Sequence, residues 1–495
     1  VAKRPVGWSV PPTPKRVIYL VGIVLVGAGL AMLPSVAAAL WYREWRPSTS
    51  LAVSAGITLL AGTAATTWAG RPDSLSPKEA FASVAVAWST VVWFGALPLS
   101  LSGTIPGITD AVFEATAGFT TTGATVITDL SAVSHGILLW RATMQWLGGM
   151  GIIVLSVAVL PLIGAGGVQL ARAEGPGPEP DRLTPRFRGT AIRLWALYAV
   201  LTLIAAVLLA FGDMSVFEAI AHALTNVSSG GFSTTSGSIG AFSAYTQWVV
   251  IAFMFIAGTS FALHYRALFR PREYVDSAEF RIYLGIVLGA ILLVLIGLSL
   301  DTVTADLAVR DGIFTVLTLI TGTGYATTNF AAWGGELLIL LTVLMFLGGM
   351  SGSTTGAVKT YRLALLAKIA GADVRRLTRP SAISVTRFGG SVVAAPVLRN
   401  VAAFFVLYVG IFVIGTLLFA FFEAWLGGGV DVITATSAAA STLGNVGPGL
   451  GEVGPAGTYA GIVTPGKWVL AIMMLMGRLE IFPILLLLTP AFWRR

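Results

Sequence analysis

Uncharged, apolar runs long enough to cross a bilayer recur along this chain. A spanning helix needs about 20 predominantly apolar residues. Runs of that order cover Val17–Tyr42, Pro47–Gly70, Ala80–Thr109, Ala142–Ala171, Leu194–Gly212, Tyr245–His264, Ile282–Leu300, Leu337–Val358 and Asn400–Phe422. A tenth, Trp468–Trp493, is interrupted by Arg478 and Glu480. The first run is too long for the apolar stretch of a secretory leader, and no A-x-A-like site closes it. The pattern predicts an all-α polytopic membrane protein of about ten helices, with both termini on one side.

The polar intervals give that side a sign. Basic residues gather at Lys3, Arg4, Lys15 and Arg16, and again at Arg172, Arg182, Arg186, Arg188 and Arg193. They recur at Arg266, Arg270, Arg272 and Arg281, then at Lys359, Arg362, Lys368, Arg375, Arg376, Arg379, Arg387 and Arg399. If ten helices alternate, all of these share one face, which the positive-inside rule makes cytoplasmic. The formal charge of +8 is then mainly a topological signal and does not imply a nucleic-acid partner. The four opposite loops, 104–135, 213–244, 301–336 and 423–466, hold a single basic residue, Arg310. They hold twelve acids: Asp110, Glu114, Asp129, Asp213, Glu218, Asp301, Asp306, Asp311, Glu336, Glu423, Asp431 and Glu452. This predicts an outer face that concentrates cations.

Each acidic loop also contains a short apolar stretch followed by a Gly/Ser/Thr-rich one. They read DAVFEATAGFTTTGATV from Asp110, VFEAIAHALTNVSSGGFSTT from Val216, DGIFTVLTLITGTGYATT from Asp311 and DVITATSAAASTLGNVGPGLG from Asp431. The apolar parts are too short to span, and an acid near the start suits a helix N-terminus. Aligning the four on Gly123, Gly230, Gly324 and Gly447 places a small residue (Gly149, Gly258, Gly349 and Gly477) 26, 28, 25 and 30 residues later. The reading is four helix–pore-helix–filter–helix repeats around a central pore, over 76–172, 173–270, 271–380 and 381–495, preceded by a two-helix unit, 1–75.

Such an arrangement has specific physics. Half-helices entering from outside aim their C-terminal partial negative charge at the membrane centre. Extended backbone at that depth is tolerated where it lines a polar cavity. Glycine permits the dihedrals that turn carbonyls inward, and stacked carbonyl rings can replace the water shell of a monovalent cation. Neutral oxygens suit K+ or Na+ better than Ca2+, which takes carboxylates.

Composition narrows the alternatives. With 56% hydrophobic and 11% charged residues, the chain is not an ordinary soluble domain. It has no cysteine, so disulfides and thiolate chemistry are excluded. Its three histidines, His135, His222 and His264, are scattered. A membrane-embedded transferase would need clustered acids or histidines, and no DxxD or HExxH pattern occurs. A secondary symporter built from inverted repeats is disfavoured, because these repeats run in one orientation. No Walker A sequence is present, so nucleotide control would come from another chain. Arg478 lies within an apolar run, where charge is costly and usually functional, and residues two apart on a helix do not face each other, which argues against an Arg478–Glu480 pair. The glycines of Gly348–Gly356 predict a break in the helix that begins near Leu337.

On the stretches GFTTTGATV (118–126), QWLGGMGIIVL (145–155), AGTSFALHY (257–265), LGGMSGSTTGAVK (347–359), NVGPGLG (445–451) and GRLEIFPILLLLTPAFWR (477–494), the sequence resembles the Trk/Ktr/HKT superfamily of potassium transporters. The resemblance covers nearly the whole chain and is strongest to the TrkH branch. It implies potassium uptake across the cell (inner or plasma) membrane, with K+ as cargo and no cofactor in this chain. It implies a selectivity filter from Thr121, Thr122, Gly123 and Ala124; Ser228, Ser229, Gly230 and Gly231; Gly322, Thr323, Gly324 and Tyr325; and Asn445, Val446, Gly447 and Pro448. In some relatives a serine at the first filter glycine goes with Na+ preference; glycine at 123 favours K+. The resemblance places Arg478 below the filter as a barrier to cations. Gly348, Gly349, Gly352, Ser353, Thr354, Thr355, Gly356 and Lys359 would form a movable gating loop. It further implies a homodimer and a TrkA-like cytosolic nucleotide-binding ring docked on basic loops such as 359–399. Na+-selective transport, or K+ transport coupled to Na+ or H+, is the alternative within the superfamily.

Overall fold

The computed structural model describes residues 13–72, 76–158, 185–300, 305–378 and 385–493. Residues 159–171 of the fourth apolar run, with Lys3, Arg4, Arg172, Arg182, Asp301 and Arg379, lie outside them. Among the described residues the regular elements are helices, apart from one antiparallel hairpin, Arg387–Phe388 with Ser391–Val392, and a parallel bridge between Leu347 and Val358.

The chain opens with α1 (Pro14–Ala31) and α2 (Leu33–Trp41), which together make one 28-residue span, and α3 (Trp45–Ala69). α1 and α3 pack closely because both carry glycine at the crossing. A Cβ on Gly22 would sit 2.8 Å from the Gly62 carbonyl oxygen, and one on Gly62 would sit 2.7 Å from Val26 N. Small residues at a helix crossing are the means of close approach where the solvent is lipid.

Four units of one design follow. The first is α4 (Pro77–Leu101), the short α5 (Ile108–Phe119) and α6 (His135–Ala158). The second is α7 (Pro185–Ala210), short α8 (Val216–Val227), and α9 (Ala244–Gly258) with α10 (Phe261–Ala267). After α11 (Glu273–Asp276), the third is α12 (Ala278–Leu300), short α13 (Ala305–Ile320), α14 (Gly335–Leu344), a non-helical loop and α15 (Thr360–Thr378). The fourth is α16 (Ala395–Leu426), short α17 (Val432–Gly444), α18 (Thr464–Arg478) and α19 (Phe482–Leu488), closed by α20 (Pro490–Trp493).

Among the described residues, six helices are long and apolar enough to span, or eight if the two bent pairs each count as one. The other two expected spans are α6, which carries Arg141, and α14, only 10 residues long. Three expected spans are not continuous helices. α9 and α10 meet at 99°, and α18 and α19 at 115°. The third breaks after Leu344, at the glycine-rich segment.

Local signals explain several starts. Ser76 with Glu79 and Ser215 with Glu218 form capping boxes, and the Asp431 carboxylate accepts from Thr434 N at 2.8 Å. Two expected caps fall elsewhere. Asp213 serves α9 rather than α8, accepting from Ser243 N at 2.7 Å and Thr246 Oγ1 at 2.7 Å. Asp311 lies inside α13, because that helix begins upstream at Ala305, and it accepts from Thr327 Oγ1 at 2.8 Å.

The apolar core is divided. One cluster is built chiefly from the first and fourth units, including Phe113, Trp140, Leu443 and Leu470. Another comes chiefly from the second and third, including Phe253, Tyr283, Phe314 and Leu341. Leu60, Leu203, Val406 and Leu417 point outward, as a lipid-facing surface requires.

Candidate functional site

All four short helices end in the same way. The next residues turn left-handed at Thr121 (φ 52°), Ser229 (φ 56°), Gly322 (φ 64°) and Asn445 (φ 54°). The following amide then bonds back to the helix: Thr122 N to Ala117 O (2.8 Å), Gly230 N to Thr225 O (2.8 Å), Thr323 N to Thr318 O (2.9 Å) and Val446 N to Ser441 O (2.8 Å). A glycine with positive φ comes next: Gly123 (81°), Gly231 (76°), Gly324 (79°) and Gly447 (111°). This corrects the sequence alignment in the second repeat, where Gly231 and not Gly230 matches the other three. Two adjacent glycines in SSGGF leave the register open until the helix end is known. Consequently Phe232 takes the place of Ala124, Tyr325 and Pro448, while Ser228 belongs to the helix end and donates to Thr225 O at 3.1 Å.

The four strands form a closed ring. A Cβ built on Gly123 would fall on the carbonyl oxygen of Gly230, one on Gly231 on that of Thr323, one on Gly324 on that of Val446, and one on Gly447 on that of Thr122. Each glycine thus lies against the carbonyl of the neighbouring repeat, a distance no side chain permits. Polar ties brace the ring. Asn445 Nδ2 donates to Thr122 Oγ1 at 3.0 Å, and Tyr459 OH to Gly447 O at 2.9 Å. The hydroxyls of Thr120 and Thr122, and of Thr321 and Thr323, share hydrogen bonds of 2.7 Å. The oxygens here are carbonyls and hydroxyls, and among the described residues no group of three or more His, Cys, Asp or Glu could hold a metal.

Gln145 and Tyr459 were not foreseen from sequence. Gln145 Nε2 donates to Gly230 O at 2.6 Å and its Oε1 accepts from Phe232 N at 3.0 Å, so one carboxamide clamps both sides of Gly231. A glutamine inside the apolar QWLGGMG stretch was the available signal, since a buried amide needs partners.

The glycine-rich loop lies beside the inner ends of the short helices and is tied to every repeat. Gly348 N donates to Val358 O (2.9 Å), and Gly349 N to Thr355 Oγ1 (3.1 Å). Gly352 O accepts from Phe261 N at 3.1 Å. Thr354 Oγ1 shares a 2.8 Å bond with the Ser229 hydroxyl. A Cβ on Gly356 would strike the Gly444 carbonyl. Lys359, buried, reaches back to Ser353 Oγ (3.3 Å) and Thr355 Oγ1 (3.0 Å). Arg478, 1% exposed, donates from Nη1 to Thr354 O (2.7 Å) and from Nη2 to Gly148 O (2.9 Å). It therefore joins the loop to the first repeat.

Glu480 does not pair with Arg478. It forms a buried ion pair with Arg362 at the start of α15, and that guanidinium also stacks 4.1 Å from the Phe404 ring centre. Arg362→Met leaves Glu480 buried without its cation, at a cost of about 3–5 kcal/mol. The expected result is a clearly lowered thermal midpoint of the detergent-solubilised protein, read by tryptophan fluorescence; an unchanged midpoint contradicts a structural role for the pair.

A family profile described as TrkH, cation transport protein, matches residues 51–495. The chain belongs to the TrkH family. It is 38% identical over 492 residues to the Trk system potassium uptake protein TrkH of Halomonas elongata, covering 97% of this chain and 99% of that one. With TrkH of Escherichia coli K12 the identity is also 38%, over 86% of this chain and 89% of the relative. The crystal structure of the potassium transporter TrkH from Vibrio parahaemolyticus superposes with a TM-score of 0.88 at 35% identity, covering 97% of this chain and 99% of that one. This TrkH-family chain is accordingly a multi-pass membrane protein.

In this TrkH-family fold several acids read as outer-face charge have structural partners. Asp110 pairs with Lys467 at 2.6 Å. Glu114 is fully buried against Arg141. Glu423 accepts from Val463 N at 2.9 Å. Burial alone raises the Asp213 carboxyl, but the bonds from Thr246 and Ser243 outweigh it and hold it below the usual range. A sequence reading counts such acids as free charge because their partners are distant in the chain.

Proposed function

We propose that this chain carries K+ into the cell through the ring of four glycine-bearing strands, as a channel-like transporter and not an enzyme. The observation that supports this most is the closed ring itself, in which each positive-φ glycine abuts the next strand's carbonyl. Such a ring offers neutral oxygens in place of a cation's water shell, and the short helices end at it with their partial negative charge. The relatives' names, Trk system potassium uptake protein, agree with this reading.

Thr121–Ala124, Ser229–Phe232, Gly322–Tyr325 and Asn445–Pro448 are the filter in this reading, within pore units 76–172, 173–270, 271–380 and 381–495. Arg478 is the barrier beneath it, and the loop from Gly348 to Lys359 is the gate. The termini and the basic end of α15, with Arg375 and Arg376 in its last turn, face the cytoplasm. A homodimer works with a separate cytosolic nucleotide-binding ring on that side.

The test is uptake of radioactive Rb+ into proteoliposomes of the full chain, with K+, Na+ and Li+ as competitors. Competition by K+ and not Na+ is the expected result. Equal competition by both ions would replace the K+-selective reading with a non-selective one.

A further inference from the structure

The filter has support behind it that is uneven between repeats, and the inference drawn from this rests on the filter reading above. Nine residues before each ring glycine stand Glu114, His222, Thr315 and Ala438; two residues after it stand Thr125, Ser233, Ala326 and Gly449. In the first repeat the Glu114 carboxylate accepts from Thr125 Oγ1 at 2.9 and 3.1 Å and from Val126 N at 2.9 Å. In the second, His222 Nε2 bonds the Ser233 hydroxyl at 3.0 Å, while its Nδ1 lies 2.8 Å from Glu218 O. That carbonyl assigns the ring proton to Nδ1, so Nε2 accepts. The other two repeats have Ala326 and Gly449 at the exit position and are held by neutral hydroxyls alone, Ala326 N donating to Ser238 Oγ at 3.2 Å and Leu450 N to Ser437 Oγ at 2.8 Å.

Arg141 joins the two tied repeats. Its Nε donates to Glu114 at 2.8 Å, its Nη2 to Thr125 Oγ1 at 3.3 Å and its Nη1 to Ser233 O at 3.3 Å. Its plane lies 4.0 Å from the Phe232 ring centre. Both members of the ion pair are essentially sealed from solvent, at 1% and 0% exposure. Burying such a pair gains little stability over apolar side chains, and Ala438 fills the same position in the fourth repeat with no charge. A network this costly, with a partner on every side-chain nitrogen and oxygen and placed at two strand exits, is an alignment device.

We propose that Glu114, Arg141 and His222 are positioning residues that hold the outer exits of the first two filter strands at a fixed separation. This half of the ring, braced by a buried ion pair where the other half has only neutral ties, resists contraction and so sets discrimination against the smaller Na+. A ring free to close in would coordinate Na+ as well as K+.

The test compares the full-length chain with Glu114→Gln, Arg141→Lys and His222→Gln in proteoliposomes. The ratio of K+ to Na+ needed to block Rb+ uptake is read beside the thermal midpoint of each variant. Glu114→Gln and Arg141→Lys are expected to weaken discrimination about tenfold, a normal size for coupling within one bonded network. His222→Gln shifts it less and serves as the mild variant should a charged-site variant fail to fold. A merely structural role would lower the midpoint and leave the ion ratio alone. Folded variants with the wild-type ratio therefore overturn the inference while sparing the filter. A wild-type chain without K+ preference overturns the filter reading and this inference with it.

Discussion

Gly231→Ala is expected to abolish K+ uptake, whereas Gly230→Ala retains a measurable part of it. The two glycines are adjacent, so composition and depth in the membrane are matched. At Gly231 the backbone is left-handed (φ 76°), which costs an L-residue roughly 1–2 kcal/mol. The added Cβ would also land on the Thr323 carbonyl oxygen, a backbone atom of the neighbouring strand. Relief requires the ring to open, and a distortion of about 3 kcal/mol or more corresponds to a loss beyond about a hundredfold. At Gly230 the obstruction is the Gln145 side chain. Its carboxamide can swing aside at the cost of its bonds to Gly230 O and from Phe232 N, and its Cβ, 2.8 Å away, requires a small shift of α6. The loss of two such bonds, at about 0.5–1.5 kcal/mol each, predicts a drop of about fivefold to a hundredfold. Initial rates of Rb+ uptake, at matched protein content in monodisperse preparations, separate the two. Equal losses would argue that the sequence register through Gly230 is the right one.

Arg478→Ala is expected to raise cation flux. Two contributions act together. The guanidinium is a buried positive charge beside the proposed gate, and it tethers Thr354 O and Gly148 O across two repeats. Hydrogen bonds to a charged group are worth about 1.5–3 kcal/mol each, so freeing the loop from one of them raises its open population on the order of tenfold to a hundredfold. Arg478→Lys separates the contributions. Lysine keeps the charge but cannot reproduce the fork that reaches both carbonyls. If the tether dominates, lysine behaves like alanine; if charge dominates, it behaves like the wild type. Flux through reconstituted Arg478→Ala that matches the wild type would rule out both.

The chain's own pattern determined the membrane class, the fourfold repeat and the place of the glycine-bearing strands. Those properties are local. Apolar runs partition into lipid whatever their neighbours, and a positive-φ backbone with no room for a side chain calls for glycine wherever it occurs. A break in the helix from Leu337 was legible in the glycines of Gly348–Gly356, although it falls earlier, after Leu344; the Arg478–Glu480 pair is absent as expected but for another reason, since the helix ends at Arg478 and Glu480 lies in the bend beyond it. The tertiary structure decided everything that required a partner. It moved the second-repeat register from Gly230 to Gly231, because only the helix end at Val227 makes Ser229 the left-handed residue, and the ring glycine stands two residues beyond it. It matched Glu480 to Arg362 and Glu114 to Arg141, and it gave Asp213 to α9 instead of α8. A buried charge or amide must find a complement, but the chain is free to supply it from any distance. Which one arrives is settled only when the four repeats pack together.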